Sequence, residues 1–476
     1  MTECCTVAEG SGILQRMADR RLRLRVLAFT AFLLVLGISG AGAQSPAPAQ
    51  QGPDQFALPA TDEGLAGSGP IRRADWFQQL WRERRSAWAK QREQDNGAVV
   101  FLGDSITQGW GGGLGAAFAG MKVANRGISG DTSRGVLLRL HEDVLALDPA
   151  AVVLLIGTND VADGATPETI AGNVRLILAA LKQHNPRVPV ILCQVLPSSP
   201  SMQRPADQIQ ALNALYLAAV RNDPQVIPLD TWRLFADAKG DAPAAEFPDL
   251  LHLNEAGYAK WAAALRPVFA TLRFTETTPD TFALDEGFES LFNGRDLTGW
   301  GYRPTSEADK EIARKWQASD PNAAEWPFVT EAVSFEGKTA SPDGRFVAIN
   351  GRLVVTTPPE GRKVQQLYTT REFPENFVLR MEFRATPNAD SGVYVRGPQQ
   401  QVRDYRLAGP YKDLKKYKPQ EWNELEITVR NGVARTTCNG EALEGDLTVP
   451  PTGPIGVEGD RGQMEYRRIR ITRMKQ

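Results

Sequence analysis

The sequence predicts two folds in series: an α/β domain built on a parallel sheet, then an all-β antiparallel sandwich. Three observations carry this. In the N-terminal half, apolar runs at 98–102 and 152–156 alternate with helical stretches at 169–183 and 208–221, the pattern of a parallel sheet. After about Leu272 the period changes to two. Phe377, Leu379, Met381 and Phe383 interleave with Val378, Arg380, Glu382 and Arg384, and Leu425, Ile427 and Val429 with Glu426, Thr428 and Arg430. Finally, Asn350-Gly351, Asn431-Gly432 and Asn439-Gly440 are strong signals for tight hairpin turns, which join half-buried antiparallel strands. The expected bounds are 71–272 and 284–476 with a linker at 273–283, and the separate periodicities imply two independent cores.

The first residues read as a targeting segment. Residues 20–25 alternate Arg and Leu after Arg20-Arg21, 26–40 are apolar, and Ala41-Gly42-Ala43 supplies a small-residue cleavage pattern before Gln44. A signal peptide over 1–43, removed on export to the periplasm or the medium, is the expectation, with Met17 as a second candidate start. The apolar stretch is short of the ~20 residues a bilayer span needs, so no stable membrane insertion is expected after removal. Residues 44–70, rich in Pro, Ala, Gly and Gln, read as a flexible linker. Cys4 and Cys5 precede the cleavage point. Cys193 and Cys438 stand singly in different domains, which argues against a disulfide framework. With 54 basic and 56 acidic residues mixed along the chain, there is no basic stripe to bind nucleic acid.

Four short stretches of the α/β half carry chemistry: Gly103-Asp104-Ser105, Asn125-Arg126-Gly127, Gly157-Thr158-Asn159-Asp160 and Asp249-Leu250-Leu251-His252. Ser105 follows the strand at 98–102, at the C-terminal end where open α/β sheets place their crevices. A serine hydroxyl needs an adjacent base. Of three histidines, His141 lies in a helical stretch and His184 precedes Asn185-Pro186 at a helix end, which leaves His252. Asp249, three residues earlier, can hold one imidazole nitrogen while the other faces the serine. Candidate oxyanion donors are the N–H groups of Ser105 and Gly127 and the amide of Asn159. Asp160 has no His or Cys cluster beside it, so no metal site is expected.

These blocks, in this order, resemble the SGNH (GDSL-type) hydrolases, named for their Ser, Gly, Asn and His blocks. The stretch 125–131 and Leu251-His252-Leu253 followed by Gly257-Tyr258 are similar to the platelet-activating-factor acetylhydrolase-like branch. The resemblance implies a flavodoxin-like three-layer fold, a triad of Ser105, His252 and Asp249, and no cofactor. It leaves the ester substrate open, since members cleave phospholipid, aryl, thioester and carbohydrate esters alike.

The C-terminal half resembles the 3-keto-disaccharide hydrolase family in the stretches 291–300, 390–397, 421–424, 453–457 and 466–471. That resemblance implies a concanavalin-like jelly roll and a sugar-related role. Near Gly456 many relatives carry a His-bearing loop, whereas this chain reads Glu458-Gly459-Asp460-Arg461-Gly462 and has no histidine after His252. Acid–base work here would fall to Asp390, Asp404 or Glu458. Three roles compete: glycan binding through Trp300, Tyr394 and Tyr405, a second catalytic activity on 3-keto-glycosides, or a purely structural one. The neighbouring sugar-related domain makes an acylated saccharide the expected substrate, with lipid or aryl esters as the rival. A non-catalytic glycan-binding protein is the alternative of a different class.

Overall fold

The computed structural model describes residues 55–320, 323–359 and 362–474, which lie in one compact unit. The targeting segment, Cys4, Cys5 and the first part of the 44–70 stretch lie outside the described residues. The α/β half begins with α1 (Asp75–Lys90), α2 (Arg92–Asp95), β1 (Val99–Gly103), α3 (Ser105–Gly109), α4 (Gly113–Ala117) and β2 (Val123–Gly127). It continues with α5 (Ser133–Asp143), β3 (Ala151–Leu155), α6 (Thr158–Ala162), α7 (Pro167–His184) and β4 (Val190–Cys193). It ends with α8 (Ala206–Ala219), β5 (Val226–Leu229), α9 (Thr231–Phe235) and α10 (Glu255–Thr271).

The five strands are parallel in the order β2-β1-β3-β4-β5, the flavodoxin-like arrangement. Every residue of β1 and of β3 is buried, as expected of a sheet covered on both faces. Val99, Phe101, Val153 and Leu155 face one layer, against Trp261, Leu265 and Phe269 of α10. Val100, Leu102, Val152 and Leu154 face the other, against α5, α7 and α8. Strand order reverses between β1 and β3, so the crevice opens where α3 and α6 begin.

Residues 55–70 differ from the flexible linker expected there. Phe56 and Leu58 are buried, Asn173 bonds both the N–H and the carbonyl of Ser68, and Asp62 pairs with Arg73 and Arg134. The Pro, Gly and Ala content that suggested a tether serves a strap laid along the domain, where side-chain donors meet its backbone carbonyls.

The second half is a sandwich of two antiparallel sheets. In spatial order the larger holds Glu441–Ala442, Val433–Cys438, Asn423–Arg430, Phe377–Ala385, Met464–Arg473, Arg352–Val355 and Phe346–Ile349. The smaller holds Gln399–Arg403, Asp390–Val395, Ile455–Gly459, Gln365–Thr369, Trp300–Tyr302 and Val333–Ser334. The three Asn-Gly pairs have positive φ at both residues, as type I′ turns require. Phe377, Leu379, Met381 and Phe383 point into the core. Arg384, on the face the alternation assigns to solvent, is instead buried.

The reason lies at the junction of the halves. Glu465, fully buried, accepts from Arg384 at 2.6 Å, Arg352 at 3.1 Å and Gln463 at 3.2 Å. Gln463 and Arg352 also donate to the Pro267 and Ala270 carbonyls near the end of α10, at 2.9 and 3.1 Å. Glu276 of the linker pairs with both arginines. The hydrophobic clusters of the halves are separate apart from Leu407 of the second half, which packs against the α/β core, and this buried polar seam ties them together. Cutting such a network leaves buried charge without a partner, which is strongly destabilising.

Candidate active site

Three loops bring the candidate residues to the C-terminal edge of the parallel sheet. Ser105 is the first residue of α3, directly after β1. Asp104 caps that helix, its Oδ1 accepting from the Ile106 N–H at 2.9 Å. As the first N–H of a helix, that of Ser105 has no intrahelical acceptor. The end of β2 packs tightly on α3: a Cβ on Gly127 would lie 2.3 Å from the Gln108 nitrogen and 2.7 Å from the Asp104 carbonyl oxygen. Glycine is required there by space rather than by backbone angle. Tyr258 of α10 donates to the Ile106 carbonyl at 2.7 Å, fixing α3 from the other side.

The Asp249–His252 turn is built by one carboxylate. Asp249 Oδ1 accepts from the N–H groups of Leu251 at 3.0 Å and His252 at 2.7 Å, while Oδ2 lies 2.6 Å from His252 Nδ1. Leu250 sits at φ 63, a left-handed conformation that costs a branched residue about 1 kcal/mol. Ser198 Oγ donates to its carbonyl at 2.8 Å and holds the turn. Burial acts to raise the Asp249 carboxyl. Donation from the His252 N–H, the imidazole and the Leu251 N–H outweighs that and holds it at about 2. An ionised carboxylate only accepts, so Nδ1 carries the proton and neutral His252 presents Nε2 as an acceptor. Nε2 lies 2.9 Å from Ser105 Oγ. Ser105, His252 and Asp249 therefore form one continuous hydrogen-bonded chain.

Asn159 is buried in α6, after β3. Arg204 Nη2 donates to its Oδ1 at 3.1 Å and Arg204 Nε to the Thr158 carbonyl at 2.9 Å. The Asn159 Nδ2 donates to the Asp131 carbonyl at 2.9 Å. These contacts orient the amide and use only one of its two N–H groups. Gly127 is less simple. Its N–H donates to Asn125 Oδ1 at 3.0 Å, so donation to an oxyanion requires the Asn125 side chain to share or yield that proton.

Asp160 accepts from the Ser133 N–H at 2.9 Å and from Ser133 Oγ at 2.6 Å, and thereby pins the start of α5. Asp131 pairs with Arg139 at 2.8 Å, both fully buried, and Arg139 reaches the carbonyls of Gly103 and Arg126. Burial pushes Asp160 and Asp131 up to about 6 and Asp104 to about 7. Among the described residues, no group of three or more His, Cys, Asp and Glu is placed to hold a metal ion. His141 is exposed on α5, and His184 pairs with Asp148 at 3.0 Å.

Arg204 carries no signal in the sequence, because Thr158 and Asn159 lie far from it along the chain. Asp131 closes the recognised stretch 125–131, but the role of its carbonyl follows only from the fold. Asn125 lay within a recognised block, but its side-chain role follows only from the fold.

In the sandwich the candidates separate. Trp300 and Tyr405 are fully buried in the core and offer no glycan-stacking surface, which corrects the expectation of exposed rings. Asp404 is buried and accepts from the Asn388 N–H, Tyr417 and Gln420. Asp390 is paired with Arg403 and Arg461, both at 3.1 Å. Glu458 is half-buried on the smaller sheet, where Tyr394 donates to it at 2.9 Å and Gln399 also reaches it. Burial drives its carboxyl up, the Asp460 and Asp390 charges add to this, and the two donors offset it only partly, leaving it at about 8.

Comparison with known proteins divides the chain at the same junction. The model of the GDSL-like lipase/acylhydrolase family matches residues 101–260, and that of the 3-keto-alpha-glucoside-1,2-lyase-like domain matches 287–472. Platelet-activating factor acetylhydrolase IB subunit alpha1 of Pongo abelii is 30% identical over 181 residues, 37% of this chain and 76% of that protein. Subunit alpha2 of Bos taurus is 29% identical over 198 residues, 40% of this chain and 82% of that protein. Among solved structures, a GDSL-like lipase from Bacteroides thetaiotaomicron is 27% identical. The likeness covers 39% of this chain and 97% of that one, with a TM-score of 0.35.

Proposed function

The chain belongs to the GDSL-like lipase/acylhydrolase family, and from that premise we propose that it is an exported serine esterase removing acyl groups, chiefly O-acetyl, from carbohydrates. The observation that carries the esterase reading is the relay from Asp249 through His252 to Ser105, with contacts of 2.6 and 2.9 Å. Ser105 Oγ attacks the acyl carbon as its proton passes to His252 Nε2. The Ser105 N–H and the Asn159 amide, joined by the Gly127 N–H once Asn125 yields it, hold the oxyanion. Collapse expels the sugar oxygen, which takes the proton from His252. Water, deprotonated by the same imidazole, then releases the acid and restores Ser105.

The carbohydrate assignment rests on the fused sugar-related domain, and export rests on the basic and apolar regions within residues 1–43. The alpha1 and alpha2 relatives are named for acetyl hydrolysis of platelet-activating factor, which makes a lipid acetyl ester the rival substrate. The test is a panel of acetylated saccharides, a platelet-activating-factor-type lipid and simple aryl acetates. Preference in kcat/KM for the saccharides is the expected result, and preference for the lipid would overturn the substrate assignment.

Asn159→Ala is expected to lower kcat by ~10²–10³ with little change in KM, because the lost donor acts on charge present only in the transition state. Turnover retained by the folded variant would remove Asn159 from the oxyanion hole.

A second activity, cleavage of 3-keto-glycosides by the sandwich, is favoured by the placement of Glu458 on the smaller sheet, held by Tyr394 and Gln399, where burial pushes its carboxyl up to about 8. The ketone acidifies the neighbouring carbon, whose proton passes to water as the bond to the glycosidic oxygen breaks. That oxygen takes the Glu458 proton, and water then adds to the resulting enone. Full-length protein should then cleave a 3-keto-glucoside, with activity falling as pH rises past about 8. Glu458→Gln should abolish that activity while ester hydrolysis continues. Equal cleavage by the variant would exclude Glu458.

A further inference from the structure

We propose that Trp76 is the stacking platform for the sugar ring that carries the acyl group, a subsite on the wall of the esterase crevice. This deepens the carbohydrate-ester reading and rests on it. Helix α1 buries Phe77, Trp81 and Trp88 but leaves Trp76 52% exposed, the most exposed aromatic ring among the large hydrophobics on the described surface. Neighbouring Phe77 meets it edge-on at 5.7 Å, bracing the indole from the protein side.

The position of the ring matters more than its exposure, since single apolar side chains on a surface are ordinary. The indole lies against Gly130, in the loop that continues from Gly127. A Cβ on Gly130 would stand 2.7 Å from Trp76 Cη2 and 3.0 Å from Arg72 Nη1. The next residue, Asp131, is the one whose carbonyl holds the Asn159 amide at 2.9 Å. Arg72 in turn grips Asp163 with two bonds of 2.7 and 2.8 Å, and the Asp163 N–H donates to the Asn159 carbonyl at 2.9 Å. Trp76 thus packs on the Gly130 loop, and Arg72 bridges from that loop to Asp163 at the end of the Asn159 helix, the two elements that frame the proposed oxyanion donors.

The chemistry of this wall selects its ligand. An indole offers a broad apolar surface with a polar tip, which suits the C–H face of a pyranose. The adjoining Arg72–Asp163 pair supplies donors and acceptors for ring hydroxyls, the mix of aromatic surface and few polar groups found at small-molecule sites. A lipid tail would gain nothing from that ion pair.

The experiment compares wild type, Trp76→Phe and Trp76→Ala on a mono-O-acetylated methyl glucopyranoside and on 4-nitrophenyl acetate. Removing the platform should lower the ratio of kcat/KM for the saccharide ester over the aryl ester by roughly five- to tenfold, mainly through KM on the saccharide. Trp76→Phe, which keeps an aromatic face, should recover most of the ratio. An unchanged ratio in Trp76→Ala, with wild type active on the saccharide, overturns the subsite alone. Wild type active on the aryl ester but inert on the saccharide overturns the carbohydrate reading, and the subsite with it.

Discussion

Ser105→Ala is expected to lower ester turnover by at least ~10³ while the protein folds normally. The variant loses the atom that forms the acyl bond, so the reaction must proceed by direct attack of water, aided only by the oxyanion donors and by binding. Folding should survive because Oγ meets His252 Nε2 at 2.9 Å, a contact of the triad and not of the core. The packing of α3 comes from Ile106, from the Asp104 cap and from Tyr258, none of which the substitution touches. Circular dichroism and Tm should match wild type. A folded variant with near-normal kcat would remove Ser105 from the nucleophile's role.

The second large effect concerns a single proton. Asp249→Asn should reduce kcat by ~10⁴, the scale seen when a triad histidine is held in the wrong tautomer. The turn dictates the amide's orientation. Two backbone N–H groups, of Leu251 and His252, point at Oδ1, so the amide oxygen must take that position and its NH2 must face Nδ1. Nδ1 then has to accept, Nε2 becomes the protonated nitrogen, and the imidazole can no longer receive the serine proton. Asp249→Ala, which imposes no tautomer, should be less damaging per folded molecule. The same carboxylate sets a pH signature on stability. Its folded value near 2 lies below the ordinary 3.8, so its contribution is in place above about pH 4 and is lost as the pH falls toward 2. Measurement of kcat in both variants checks the tautomer argument, and equal rates for Asn and Ala would refute it.

Legibility in the sequence followed the range of the interactions. Period-two alternation at 377–383, the buried runs of β1 and β3 and the Asn-Gly turns are local, and the structure has them where the sequence puts them. The candidate blocks were visible because short motifs mark strand ends. Arg204 was not, because its bond to Asn159 spans 45 positions and an isolated Arg in a loop has no pattern. The burial of Arg384 was not legible, since alternation cannot register a linker that folds back with Glu276 to cover it. Residues 55–70 look like a tether by composition, yet Asn173 and Arg134 supply the hydrogen bonds that fix them. Trp300 and Tyr405 show the converse limit: aromatic content does not distinguish a core ring from a binding surface.

The central claim, that Ser105 is made nucleophilic by His252 and Asp249, is tested most directly by active-site labelling. Full-length protein, treated with a fluorophosphonate, would be digested and the modified peptide read by mass spectrometry. A single adduct on Ser105, forming in step with loss of esterase activity and slowed strongly in His252→Ala and Asp249→Asn, is the predicted result. An adduct on another serine, or full esterase activity in protein labelled at Ser105, would contradict it.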